Sequence, residues 1–184
     1  MRQVMALLHF RFVCKYLIMD KITQRRIQNL HPEVRKEATS IIQDCDRALT
    51  GRSRVRITQG FRTFDEQNKL YAIGRTEPGK KVTNAKGGQS IHNYGLAVDI
   101  CLIIDGKTVS WDTAADWDND QIADWYECVK IFAKYGWEWG GNWRTFKDLP
   151  HFEKKEIFLN NAELKVSWKN LIRLAKDKNG YVIF

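Results

Sequence analysis

Two short segments carry groups that could do chemistry together. Ser90-Ile91-His92-Asn93-Tyr94-Gly95-Leu96-Ala97-Val98-Asp99 offers an imidazole and, seven residues on, a carboxylate. Asp148-Leu149-Pro150-His151 offers a second imidazole with a carboxylate three residues before it. Two neutral imidazoles and one carboxylate make a three-donor zinc set that leaves a fourth position open for water. The remaining carboxylate, Asp148, would then be free to act as a base on that water. Each residue also has a plainer reading. A single His is more often an ordinary hydrogen-bonded side chain than a ligand. A carboxylate in an apolar strand needs a partner, and a nearby Arg or Lys serves as well as a metal ion. From residue types and spacing alone this is a possible metal site.

The elements that must position these groups follow from periodicity. A short helix is expected from Asp20 to Leu30. His31-Pro32 opens a second, with Pro32 at the first helical position, where its missing N–H costs nothing. Val34, Ala38, Ile41, Ile42, Cys45 and Leu49 form its apolar stripe, and Gly51 is expected to stop it. Residues 54–58 alternate as a half-buried strand with Val55 and Ile57 inward. Thr63 and Glu66 match a capping box, so a helix should run to about Ile73 and end at Gly74. Arg62 lies at the joint between that strand and that helix, a place where site residues and plain surface cations both occur.

Residues 75–89 are rich in Gly, Lys, Thr and Asn and have no period, which fits either a functional rim or a tolerated insertion. The run from Leu96 to Ile104 reads as a central strand, with Asp105-Gly106 as a hairpin turn and residues 107–111 returning beside it. Strand alternation puts Asp99 on the face of Ala97 and Cys101. Residues 119–135 read as a helix with a stripe of Ile122, Trp125, Tyr126, Val129, Phe132 and Ala133, ended by Gly136. Trp137-Glu138-Trp139 reads as a strand, followed by a glycine turn that permits close backbone approach. Pro150 keeps Leu149 out of the helical region, so residues 148–153 are a loop entering a strand. Ser167 is expected to cap a last helix to about Lys176.

Composition bounds the rest. A chain of 184 residues suits one domain with a substantial core. The net charge of +8 suits a polyanionic partner such as nucleic acid, an anionic membrane or an acidic cell wall, and equally an ordinary Lys-rich surface. Cys14, Cys45, Cys101 and Cys128 lack the spacing of a zinc knuckle or redox motif and read as buried thiols. Residues 4–18 are rather apolar, but His9, Arg11 and Lys15 interrupt them and no A-x-A-like cleavage site follows. They are also too short and charged to span a bilayer. Residues 1–18 are therefore set apart as an amino-terminal extension, with Met19 a candidate start, and 19–184 as the domain.

The pattern Ser90-x-His92-x-x-Gly95-x-Ala97-x-Asp99, followed by Asp148-x-Pro150-His151, resembles the zinc peptidases of bacterial peptidoglycan. That group comprises D-alanyl-D-alanine carboxypeptidases and L-alanyl-D-glutamate endopeptidases and shares its fold with the amino-terminal domain of hedgehog proteins. Gly60-Phe61-Arg62-Thr63 with Gln67 and Leu70-Tyr71 is similar to another block of the family. Trp137-x-Trp139-Gly140-Gly141-x-Trp143-x-x-Phe146-x-Asp148-x-Pro150-His151-Phe152 resembles the endopeptidase branch, since the carboxypeptidase branch usually has Glu-Pro-Trp-His there. The resemblance spans roughly residues 22–153.

The resemblance implies an α+β fold, a small and mainly antiparallel sheet with packed helices. It implies one zinc ion held by His92, Asp99 and His151, with Asp148 as the catalytic carboxylate and Arg62 as the cation for the developing oxyanion. Ser90 would steady substrate. Gln67 and Tyr94 are further substrate-site candidates; the alternatives are that Gln67 supports Arg62 or simply occupies the first turn of its helix, and that Tyr94, Trp139 and Trp143 pack beneath the cleft. The expected function is hydrolysis of the peptidoglycan stem peptide at the L-Ala-D-Glu bond. The alternatives are release of terminal D-alanine and a non-catalytic zinc-containing wall-binding domain. The expected partner is the stem peptide, with no nucleic acid, no stable membrane insertion and a monomeric state. The expected place of action is the cell wall, reached by secretion or, for a phage-encoded enzyme, from the cytoplasm after holin release.

Overall fold

The computed structural model describes residues 19–159 and 162–184. The amino-terminal extension, with His9 and Cys14, lies outside the described residues. Helix α1 (Lys21–Gln28) is capped by Asp20, whose Oδ1 accepts from the backbone N–H of Ile22 and Thr23. Helix α2 (Pro32–Ala48) begins at His31, whose Nδ1 accepts from the Glu33 N–H at 3.3 Å. All six residues of its expected stripe are buried. The helix closes at Leu49 without help from Gly51, which has no positive φ. Gly51 instead meets another loop so closely that a Cβ would lie 2.4 Å from the Trp117 carbonyl oxygen.

Strand β1 (Ser53–Gln59) turns Val55 and Ile57 inward as expected. Helix α3 (Phe64–Ala72) starts with the reciprocal Thr63–Glu66 capping box, and Gly74 takes a left-handed φ of 70° just beyond it. Strand β2 (Ala97–Ile104) turns at Asp105-Gly106, both left-handed, into β3 (Thr108–Ser110). Helix α4 (Asp124–Lys134) leads into β4 (Trp137–Trp139), and β5 (His151–Lys154) follows the glycine turn. All strand pairings in this sheet are antiparallel, in the order β1-β2-β5-β4, with β3 on the same edge of β2 as β5. Val98, Ile100, Leu102 and Phe152 belong to the core on the helical side, where Phe152 stacks on Phe132 with centroids 4.1 Å apart.

Three expectations are corrected. Helix α4 starts at Asp124, not near residue 119, because the Asp116 carboxylate accepts backbone N–H groups of Asn119 and Gln121, and both residues adopt positive φ. Trp125, Phe132 and the thiol of Cys128 are inside as expected and Ile131 joins them, while Ile122 and Tyr126 of the expected stripe are exposed. The last helix is a single turn, α5 (Trp168–Leu171), capped by Ser167 as expected; Lys176 is drawn instead into a bridge with Val182. Between them lies a hairpin that periodicity did not announce, β6 (Glu156–Leu159) with β7 (Ala162–Lys165). Cys45, Cys101 and Cys128 are buried free thiols. Among the described residues no helix is long and apolar enough to cross a membrane.

Candidate functional site

Sheet register brings Asp99 and the second segment together. Asp99 stands directly opposite His151 in the β2–β5 pair, so both side chains rise from one face. The other face of the same strands is the hydrophobic core, which holds the pair rigidly. His92 arrives on a 3-10 turn, Ile91–Tyr94, closed by Gly95 in the left-handed region with φ 69°. A Cβ on Gly95 would sit 2.6 Å from the His31 backbone nitrogen, so the turn could not seat against α2 with any other residue. Asn93 ties this turn to the β1–α3 joint. Its Oδ1 accepts from the Gly88 N–H and its Nδ2 donates to the Arg62 carbonyl, while the Arg62 N–H donates to the His92 carbonyl.

Three donor atoms converge. His92 Nε2, His151 Nδ1 and Asp99 Oδ1 form a triangle with every edge 3.1 Å. The remaining ring nitrogens fix the tautomers. His92 Nδ1–H donates to the Gly60 carbonyl at 2.7 Å, and His151 Nε2–H donates to the Glu153 carboxylate at 3.0 Å. The triangle therefore presents three lone pairs to one another, which only a cation or an added proton can reconcile. A tetrahedral site with bonds of ~2.0 Å has donor–donor edges of about 3.3 Å, so the triangle has the size of one tetrahedral face. These three residues could hold a metal ion.

The electrostatics show the same demand. Burial alone would raise Asp99, but His92 and His151 outweigh it and hold the carboxyl well below the usual range. Burial would lower His151, yet the hydrogen bonds to Asp99 and Glu153 lift it to about 9. The donor set thus favours a positive charge among its three atoms, the demand that a metal ion meets in competition with protons.

The triangle floors a cleft of about 590 Å³, walled by residues 82–85, by Ser90, by Trp143 and Phe146, and by Trp168. Asp148 lines it too. Its loop is pinned at Gly140, where a Cβ would come within 2.5 Å of the Asp148 carbonyl oxygen. Burial and the charge of Asp99 raise the Asp148 carboxyl against the opposing pull of His151, His92 and Arg62. Arg62 enters the cleft from the β1–α3 joint, with one amino group 3.7 Å from Asp99 Oδ2 and the other donating to Gln67 Oε1 at 2.8 Å.

The structure places Ser90 in the cleft wall. Gln67 and Tyr94, the other expected substrate-site residues, are not among those lining the cleft. Gln67 is fully buried, aims its oxygen at Arg62 and donates to the Ala85 carbonyl at 2.8 Å. Tyr94 is buried with its hydroxyl on the Gly88 carbonyl at 2.7 Å. Trp143 lines the cleft, with its ring centroid 5.1 Å from that of His151, whereas Trp139 packs beneath and donates to the Leu149 carbonyl. Glu153 was overlooked. Its position two residues after His151 on a strand, which puts both on one face, is the signal that could have found it.

Comparison with known proteins agrees with this picture. A family model described as D-alanyl-D-alanine carboxypeptidase matches residues 83–154. The peptidoglycan L-alanyl-D-glutamate endopeptidase CwlK of Bacillus subtilis is 44% identical over 125 residues, covering 68% of this chain and 73% of that protein. The crystal structure of the Serratia marcescens L-Ala D-Glu endopeptidase ChiX superposes with a TM-score of 0.51 at 21% identity, over 73% of this chain and 86% of that one. That likeness extends to the fold. Fold and site together define a metallopeptidase of α+β build. The chain belongs to the family of peptidoglycan peptidases to which CwlK belongs.

Proposed function

We propose that this chain is a zinc-dependent endopeptidase that cleaves the peptidoglycan stem peptide between L-alanine and D-glutamate, acting in the bacterial cell wall. The observation that carries the proposal is the triangle of lone pairs on His92, Asp99 and His151, set in a cleft between a carboxylate and a guanidinium. Zinc bound by these three residues would supply a Lewis acid for the scissile carbonyl and lower the pKa of water towards ~7. Asp148 takes the proton of the attacking water and passes it to the leaving amine. Arg62, oriented by Gln67, faces the negative charge that develops on the carbonyl oxygen. Ser90 offers its hydroxyl to the substrate from the cleft wall.

Glu153 fixes the ring of His151 with the tautomer that ligation needs, and Lys155 donates to its second oxygen at 2.8 Å. Glu153→Ala is expected to weaken zinc about 10–100-fold, since partners behind a metal-binding imidazole carry effects of that size. Competition with a chromophoric chelator measures this, and an unchanged affinity would show that Glu153 does not support the metal-binding imidazole.

Mass spectrometry of purified sacculi, digested with and without a zinc chelator, tests the function. Chelator-sensitive fragments with a new amino group on D-glutamate are expected. Released D-alanine would select the carboxypeptidase activity that names the matching family model. No product from several wall types, with zinc bound, would leave a wall-binding domain.

A further inference from the structure

The loop between β3 and α4 carries a spacing that peptide hydrolysis does not use. Asp116-Trp117-Asp118-Asn119-Asp120-Gln121-Ile122-Ala123-Asp124-Trp125-Tyr126-Glu127 puts carboxylates at positions one, three, five, nine and twelve of a twelve-residue run. That is the ligand order of a calcium loop, in which the seventh residue gives a backbone carbonyl, here Ile122, and the twelfth is Glu. The one departure is at position six, where the pattern has Gly for its sharp turn. Gln121 stands there and still adopts φ 74°, the left-handed backbone that the turn requires. Helix α4 begins at Asp124, inside the run, as the exiting helix of such a loop does.

The side chains have gathered accordingly. Carboxylate oxygens of Asp116, Asp118 and Asp124, and of Asp118, Asp120 and Glu127, lie within 4.8 Å of one another, and the two groups share Asp118. Most of these oxygens have protein donors. Asp116 accepts from Asn119 and Gln121, Asp124 from the Trp117 N–H and the Ser53 hydroxyl, and Asp118 Oδ2 from Thr50. Two do not. Asp118 Oδ1 and Glu127 Oε2 each expose less than 1 Å² and have no hydrogen-bond partner among the described residues. Native proteins seldom leave a sealed carboxylate oxygen unmatched, and an ion is one of the few explanations. Here both oxygens sit amid like charges, where a divalent cation satisfies them and a protein acceptor would not.

We propose that residues 116–127 bind one Ca2+ ion, separately from the peptidase metal site. The ion would fasten three elements at once, because Asp118 holds Thr50 after α2, Asp124 holds Ser53 at the start of β1, and Glu127 lies in the first turn of α4. Its effect is therefore on the rigidity of the scaffold.

The test uses the full zinc-loaded chain stripped of calcium. Calorimetric titration with CaCl2 reports binding, thermal unfolding reports the gain in stability, and Tb3+ luminescence sensitised by Trp117 reports the place. The expected result is one Ca2+ per chain in the micromolar-to-millimolar range of such loops, with the midpoint of unfolding raised by several degrees. Glu127→Gln keeps the side-chain shape, and Asp120→Asn alters an exposed position, so both should fold. Each is expected to weaken Ca2+ by on the order of tenfold or more with zinc content unchanged. Absence of heat and of any shift in unfolding at millimolar Ca2+ would overturn the site. So would full affinity in both variants. Neither readout depends on hydrolysis, so this proposal and the peptidase assignment fail separately.

Discussion

Asp148→Asn is expected to lower kcat by about 10²–10⁴-fold, the range that a general base contributes, while zinc affinity stays within a few-fold of the parent. The two effects separate because Asp148 stands beside the donor triangle and not in it. The loop should keep its form, since its anchors are backbone: the Asp148 N–H donates to Gly140 and its carbonyl accepts from the His151 N–H. Stability should move the opposite way from activity. Burial, then the charge of Asp99, raise the Asp148 carboxyl above its ordinary value, so the folded chain holds that proton more tightly than the unfolded one. The group's contribution is therefore lost as pH rises from the unfolded towards the folded pKa. Asn cannot ionise. Zinc-free Asp148→Asn should unfold at a higher temperature than the zinc-free parent at neutral pH, and the two should converge below the ordinary carboxylate range. Steady-state hydrolysis of a stem peptide, chelator competition and melting curves at two pH values measure all three. Undiminished hydrolysis by the zinc-loaded variant would move the base elsewhere, with Glu153 the next carboxylate in the cleft.

Much of the scaffold could be read from the sequence because local and tertiary preferences coincide in it. The α2 stripe from Val34 to Leu49 has one helical period and one buried face. The β2–β3 hairpin carries its turn chemistry in two residues, Asp105-Gly106. Where side chains compete with the backbone, local reading failed. Asp116 takes the N–H groups that residues 119 and 121 would have given to a helix, and this delays α4 by about one turn and changes which residues face inward. Those aspartates do not stand out in the sequence because the run from residue 119 also reads as the start of an amphipathic helix. The β6–β7 pair is a separate two-stranded ribbon, and its alternation is too brief to stand out from loop.

The candidate site was legible as residue types and not as roles. His92, Asp99 and His151 are brought together by β2–β5 register and a single 3-10 turn, and spacing alone could suggest but not establish either. Gln67 and Tyr94 show the limit clearly. Both stand in blocks that resemble the family's, and both are buried outside the cleft lining, one with its amide on Arg62 and one with its hydroxyl on the Gly88 carbonyl. A polar residue near a site in sequence can serve substrate or hold the group that does, and only the side-chain direction distinguishes them.

That distinction makes Arg62 the second decisive position. Arg62→Ala is expected to cost about 10²–10³-fold in kcat, or ~3 kcal/mol of transition-state stabilisation, the size associated with one lost oxyanion partner. A merely structural cation would also disturb Asp99, its neighbour at 3.7 Å, so loss of rate alone does not define the role. The pH profile does. The Arg62 guanidinium is one of the groups that pull the Asp148 carboxyl down against burial and Asp99. Removing it lets that carboxyl rise, and the base must be ionised to act. The acid limb of kcat/KM should therefore shift to higher pH in Arg62→Ala, with zinc affinity little changed. Arg62→Lys restores the charge without the planar fork that meets Gln67 and Asp99 together. It should return the acid limb towards its original position while recovering only part of kcat. Recovery of both would reduce Arg62 to a point charge, and an acid limb that stays in place in the Ala variant would break the link between Arg62 and the base.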